Sequence, residues 1–227
     1  MLFYDIRKPL LYAFLIFTIS IFIGWISASN DPSFARLILG DGYVNMTLEN
    51  IENGNPLAVY GKQGEVDMFF AITFNNVRVS FFAFVAGIVV SIGTGFLLFQ
   101  NGLMVGTFFS FLAQQGLFGS SVLIVMLHGT LELSAIVIAG AGGFVMGNSI
   151  LFPGTYSRLE SFKRGAKKGL KVIIGLIPVF ILAGFIESFF TRYTMMHWSI
   201  KLGVILLSAG FILYYFVIYP IILHRNE

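Results

Sequence analysis

The chain has 227 residues, of which 57% are hydrophobic and only 11% are charged, with a net charge of +3. Soluble domains carry about 25% charged residues, so this composition excludes an ordinary water-soluble domain and predicts an integral membrane protein. Cysteine is absent, which excludes disulfides, cysteine nucleophiles and thiolate metal sites.

Apolar segments near the length of a membrane span recur along the sequence. The pattern predicts an all-α polytopic transmembrane bundle of about six membrane segments, forming one integral membrane domain over residues 1–227. A short interfacial segment at 68–74 is expected to precede the second span. The six segments are residues 10–28, 77–98, 103–113, 121–146, 172–190 and 200–223.

Between the first two spans, residues 29–76 are predicted to form an extracytoplasmic acidic loop with short interfacial helices. Asp31-Pro32 before an apolar run and Gly40 is typical of a short capped helix. Asp41-Gly42 and residues 52–56 predict turns. Within 30–70 the net charge is −4, from two basic and six acidic residues: Arg36 and Lys62 against Asp31, Asp41, Glu49, Glu52, Glu65 and Asp67.

The third segment is the weakest candidate for a membrane span. Gln100-Asn101-Gly102 predicts a turn before it, and Gln114-Gln115 ends it. The positive-inside rule favours its crossing, with both termini cytoplasmic. Nine basic residues are then inside and five outside, whereas a non-crossing segment leaves four inside and ten outside. The nine are Arg7, Lys8, Arg158, Lys163, Arg164, Lys167, Lys168, Lys171 and Arg225; the five are Arg36, Lys62, Arg78, Arg192 and Lys201.

Residues 152–171 are predicted to be a basic cytoplasmic loop. A cluster of Lys and Arg beside a span attracts anionic lipid headgroups by about 1 kcal/mol per residue. The bilayer is therefore the expected partner of this charge, and nucleic acid is not.

Small residues recur at four-residue spacing in three successive segments, which places each set on one stripe of a helix. Such stripes let helix backbones approach closely. Packing within the chain is the first interpretation, and a homo-oligomer contact is the second. The predicted packing residues are Gly87, Ser91, Gly95, Gly102, Gly106, Ala139, Gly143 and Gly147.

Three ionisable residues lie within predicted spans, where such groups usually face the bundle interior or water. His128 and Glu132 are four residues apart, so they share a helix face. Glu187 is expected at a depth similar to that of His128. We predict an intramembrane polar cluster of these three residues, with a rim formed by Asn75, Asn76, Arg78 and Arg192.

The cluster admits three chemical interpretations. A hydrogen-bonded network that pins helices together is the simplest. A path for a proton, ion or small solute is the second, because His and Glu titrate. An enzyme is the third, but neither a two-histidine zinc motif nor a nucleophile accompanies the carboxylates. We therefore expect no catalytic residue, no metal and no cofactor.

Several motifs together resemble the stage II sporulation protein M family of bacterial membrane proteins, over residues 34–220. The most specific is His-Gly-Thr-Leu-Glu at 128–132, followed by Ile-Ala-Gly-Ala-Gly-Gly at 138–143. The others are Asn75-Asn76, Asn101-Gly102, Pro153-Gly154, Ile186-Glu187 and Thr191-Arg192.

The resemblance implies a multi-pass protein of the bacterial cytoplasmic membrane. The family's founding members look like scaffolds for envelope enzymes, so it implies a non-enzymatic scaffold or subunit of a cell-envelope complex, with other membrane or envelope proteins as partners. A transporter or channel that uses the polar cluster is the alternative.

Overall fold

In the computed structural model, the described residues are 2–54, 64–191 and 196–225. They are almost entirely helical and contain no strand. The helices are α1 (Leu2–Asp5), α2 (Arg7–Asn30), α3 (Pro32–Leu39), α4 (Asp41–Glu52), α5 (Glu65–Val85), α6 (Ile92–Gln114), α7 (Phe118–Leu151), α8 (Arg158–Phe185), α9 (Trp198–Leu213) and α10 (Tyr219–Arg225). A 3₁₀ turn, Ala86–Ile88, extends α5, and π turns extend α8 (Ile186–Phe190) and α9 (Tyr214–Ile218).

Six helices of the described chain are long and apolar enough to cross a membrane, which confirms the predicted all-α bundle. The weak third segment belongs to α6, whose 23 residues reach about 34 Å at 1.5 Å per residue. The six are Arg7–Asn30, Glu65–Ile88, Ile92–Gln114, Ser121–Leu151, Arg158–Phe190 and Trp198–Arg225.

Contacts between the helices show that successive long helices run in opposite directions. α2 and α6 run parallel, because Gly102 packs on Phe17 at the middle of both helices and the side chain of Gln114 donates to the carbonyl of Ala28 near their ends. α7 and α8 run antiparallel, since Ser161 at the start of α8 bonds the carbonyl of Ser149 near the end of α7. These directions are those of a chain that reverses at each successive span.

Helix α7 is the centre of the bundle and packs against α2, α5, α6, α8 and α9. Its residues 135–144 are nearly all buried, with Ala135 and Ala139 fully so. The core around it is built from Leu98, Leu176 and Phe180 of its neighbours. The small side chains on α7 therefore allow several helices to pack closely against it.

The boundary between the second and third spans differs from the prediction. The chain turns at residues 89–91, so 77–98 is not one span and 68–74 is the first part of α5. Val90 and Ser91 carry positive φ angles of 42° and 69° without any glycine or proline. The predicted turn at 100–102 lies inside α6, because its glycine serves close packing against α2.

Two predicted loops are shorter than expected. The polar segment 29–76 ends where α5 begins at Glu65, so residues 65–76 are helical. The basic segment 152–171 becomes α8 from Arg158 onward, because Ser157 caps that helix through the amide of Glu160. The basic residues after Ser157 are thus on an ordered helix.

Within the polar segment, the predicted short helix is present as α3. The side chain of Asp31 accepts a hydrogen bond from the backbone amide of Ser33 at 2.9 Å. Gly40, with a φ of 85°, ends the helix. The expected turn at Asp41-Gly42 is instead the start of α4. Arg36 joins the two helices through Asp41 (3.0 Å) and Asn45 (2.8 Å).

All eight predicted packing residues contact another helix of the same chain or are buried in its core. A Cβ atom on Gly87 would overlap the carbonyl oxygen of Gly143, and one on Gly147 would overlap Ser91. Gly102 and Gly106 approach the backbone of α2 in the same way, Gly95 lies against Phe144, and Ala139 is fully buried. The stripes are thus occupied within one chain.

We predict that Gly143→Leu lowers the free energy of unfolding by about 1–3 kcal/mol, because the new side chain meets Thr94 and the carbonyl of Ala83. The matched control is Gly175→Leu on α8, where a Cβ atom meets nothing within 4 Å. Thermal unfolding in detergent measures both. Equal melting temperatures for the two variants would contradict the packing described.

The unequal distribution of basic residues predicts that the C-terminal end of α4 and the loop between α7 and α8 lie on opposite sides of the membrane. Single cysteines at exposed Asn53 and Thr155 test this in a chain without native cysteine. An impermeant maleimide should label only Asn53→Cys on intact cells and both variants after lysis. Labelling of both on intact cells would exclude this orientation.

Candidate functional site

The polar cluster lies where α5, α7 and α8 meet. His128 is buried on α7, and its Nε2 is 3.6 Å from Oε1 of Glu187 at the end of α8. One ligand-capable atom each from His128, Glu132 and Glu187 lies within 4.8 Å of the other two. The structure thus brings the three predicted residues into one site.

The orientation of His128 is set by Thr191, which the sequence analysis did not assign to the site. His128 Nδ1 is 3.2 Å from Thr191 Oγ1, and Thr191 Oγ1 donates to the carbonyl of Ile186 at 3.3 Å. The two ring nitrogens of His128 therefore face different groups of the α8 end, with Nδ1 toward the Thr191 hydroxyl and Nε2 toward the Glu187 carboxyl.

The π turn at the end of α8 positions this group. The amide of Thr191 bonds the carbonyl of Ile186, a five-residue spacing, at 3.0 Å. Such turns insert one extra residue into a helix and often occur at functional sites. Here the turn contains Glu187 and is followed directly by Thr191, so both reach His128.

Glu132 is held from α5, because the side-chain amide of Asn76 donates to its Oε1. Asn76 is thereby part of the cluster rather than its rim. Asn75 and Arg78 are exposed, and the guanidinium of Arg78 lies over the ring of Phe82. The fourth rim residue, Arg192, lies outside the described residues.

Three further hydroxyls are buried between α5 and the neighbouring helices. Thr73, Ser80 and Ser188 have no hydrogen-bond partner among the described residues. Thr73 and Ser80 lie about one turn to either side of Asn76, and Ser188 follows Glu187. The spacing of Thr73 and Ser80 from Asn76 along α5 is the sequence signal that could have identified those two residues.

Beyond Glu132 the three helices close on one another. Gly142 of α7 is in contact with Gly169 of α8, and a Cβ atom on Gly169 would overlap the ring of Phe84. Gly87 of α5 meets the backbone of Gly143 in the same layer. Backbone contact therefore replaces side-chain space, and the polar cluster stops at this layer.

Burial of two carboxylates and an imidazole is unfavourable unless each is hydrogen-bonded or its charge is balanced. The observed bonds reach from α7 to both neighbouring helices, so the cluster fixes their register. The same groups could also bind a proton or a cation.

We predict that His128→Ala and Glu132→Ala each lower the free energy of unfolding by about 1–3 kcal/mol, because Thr191 or Asn76 loses a buried partner. Thermal unfolding in detergent measures the loss. Glu49→Ala, which changes an exposed carboxylate of α4, is the control. Melting temperatures that match this control would show that the cluster does not join the helices.

Comparison with known protein families gives a match. The model of a family described as Stage II sporulation protein M matches residues 13–192. This range includes the polar cluster and five of the six long helices, and it begins and ends earlier than the resemblance read from motifs. No curated protein and no solved structure matches the chain.

Proposed function

The chain belongs to the stage II sporulation protein M family, and from this premise we propose that it is a non-enzymatic scaffold or subunit of a cell-envelope complex. Its site of action is the bacterial cytoplasmic membrane, crossed six times with both termini inside. The proposal combines the family with the packing around the polar cluster.

The observation that carries the proposal is the closed layer beyond Glu132. A transport path must continue past the ionisable groups, but Gly142, Gly169 and Phe84 pack in direct contact about 15 Å further along α7. This contact supports a role of the polar groups in connecting helices rather than in lining a channel. A rigid bundle of this kind suits a protein that positions others.

A scaffold requires a surface for its partner, and the bundle has an apolar crevice of about 640 Å³ between α2, α7 and the α9–α10 segment. Its α2 wall runs from Arg7 to Ile21, about 21 Å at 1.5 Å per residue, which is about two-thirds of the thickness of a hydrocarbon core. Hydroxyls of Thr130 and Ser134 and the small Ala209 line its sides. Such residues favour close helix contact, so the occupant we propose is a membrane helix of a partner protein.

The basic start of α8 adds a second partner, anionic lipid. Arg164, Lys167, Lys168 and Lys171 surround a polar pocket beside α1, where Lys168 also pairs with Asp5 at 2.6 Å. Arg164 is likewise paired, with Glu160 at 2.8 Å. Lys167 and Lys171 therefore supply most of the attraction for headgroups, at about 1 kcal/mol each. This attraction would hold the bundle in an anionic leaflet.

A transporter or channel is the competing function, and the buried hydroxyls of Thr73, Ser80 and Ser188 favour it. Unpaired hydroxyls near titratable groups can hold water that conducts protons. Flux into proteoliposomes at two pH values separates the two functions. The scaffold proposal predicts flux equal to that of empty vesicles.

We predict that Ala209→Leu weakens partner binding, because it fills the crevice, whereas Gly210→Leu does not. Gly210 is the next residue of α9 and has nothing within 4 Å of its Cβ position. A photo-crosslinking residue at Phe14, an exposed residue of the crevice, is added to each variant and to the parent in native membranes. The proposal requires a cross-link to a partner's membrane helix that Ala209→Leu removes; cross-links to lipid alone or to a second copy would overturn this occupant.

We further predict that Glu132→Gln retains folding and complex formation, because the amide oxygen still accepts from Asn76. Co-purification of the cross-linked partner measures the complex. A well-folded Glu132→Gln protein that no longer supports function in cells would promote the transport alternative.

A further inference from the structure

We propose that His128, Glu132 and Glu187 form a binding site for one divalent first-row transition cation, of the class of Zn²⁺ or Mn²⁺. The bound ion would join α7 to the end of α8, at the level where Asn76 of α5 donates a hydrogen bond to Glu132. The proposal rests on the geometry of the cluster and holds for a scaffold and a transporter alike.

The distances suit a metal ion. Ligand atoms about 2.1 Å from a tetrahedral ion lie about 3.4 Å from each other. His128 Nε2 and Glu187 Oε1 are 3.6 Å apart, and one ligand atom from each of the three residues lies within 4.8 Å of the other two. Binding of one ion would require the widest pair of these atoms to approach from at most 4.8 Å to about 3.4 Å.

The surroundings of the histidine suit this role. Metal-bound histidines commonly donate the other ring N–H to an oxygen, which fixes the ring and the tautomer. Thr191 Oγ1, 3.2 Å from His128 Nδ1, is placed to accept such a hydrogen bond when a metal is bound at Nε2. Nε2 lies 3.6 Å from Glu187 Oε1, so a cation between these two atoms would bond both.

The carboxylates also carry the expected support. Asn76 holds Glu132 by one oxygen, so the other oxygen remains for a metal. Two carboxylates and one imidazole give a bound divalent ion a neutral site, which offsets the burial of both charges. The hydroxyls of Ser80 and Ser188, on neighbouring turns, are donors without partners in the described chain and could bond water on the ion.

The ligand types select the class of ion. Imidazole favours zinc, copper, iron and nickel, and carboxylates favour manganese and magnesium. The mixed nitrogen and oxygen set therefore fits Zn²⁺ or Mn²⁺ better than Ca²⁺, which takes six or more oxygen ligands. Three protein ligands leave at least one position for water.

The test is metal content of the full chain, purified in detergent, stripped with EDTA and reloaded with Zn²⁺ or Mn²⁺. The proposal predicts about one ion per chain, and a rise in melting temperature on loading. Glu187→Gln, which is nearly isosteric, and His128→Ala should each lose the ion. Asn76→Leu and Thr191→Val should bind about 10–100-fold more weakly, because they orient ligands without touching the ion.

His224→Ala provides the matched control, because it removes an exposed histidine outside the cluster. The His224→Ala protein should bind the metal as tightly as the parent. Gel filtration shows whether each variant is folded. If His128→Ala does not fold, Glu187→Gln still tests the site. Absence of stoichiometric binding by the parent, or undiminished binding by folded Glu187→Gln, would overturn the proposal.

Discussion

Close approach of helix backbones along α7 is the constraint on which the rest of the structure depends. In a bilayer, lipid is as apolar as a leucine side chain, so helices associate through packing and hydrogen bonds rather than through release of water. Gly142 brings α7 against α8, and a Cβ atom on Gly143 would overlap Thr94 of α6 and the carbonyl of Ala83 of α5. These contacts lie about 15 Å along α7 from Glu132, and they limit how far the polar cluster can extend.

Much of this arrangement could be predicted from the sequence. Apolar length gives the number of spans, four-residue spacing identifies the packing stripes, and the i, i+4 relation places His128 and Glu132 on one face. Glu187 could be assigned to the site because charged groups within spans face inward. Each of these inferences uses a periodicity that the helix itself imposes.

Other features depend on tertiary contacts that have no local signal. The turn at 89–91 contains two residues with positive φ and neither glycine nor proline, whereas Gln100-Asn101-Gly102 has turn composition but lies in α6. Gly102 is there for contact with Ser20 of α2. Likewise, Thr191 reaches His128 only because a π turn changes the register of α8. Composition cannot distinguish a glycine for turning from a glycine for packing.

The central claim is that the bundle is closed beyond its polar cluster. Thiol accessibility along α7 tests this most directly, since the chain has no native cysteine. A cysteine at fully buried Ala139 should not react with a small methanethiosulfonate from either side of native membranes, while one at exposed Thr155 should react. Rapid modification of Ala139→Cys in a folded protein would show a water-filled path and contradict the account.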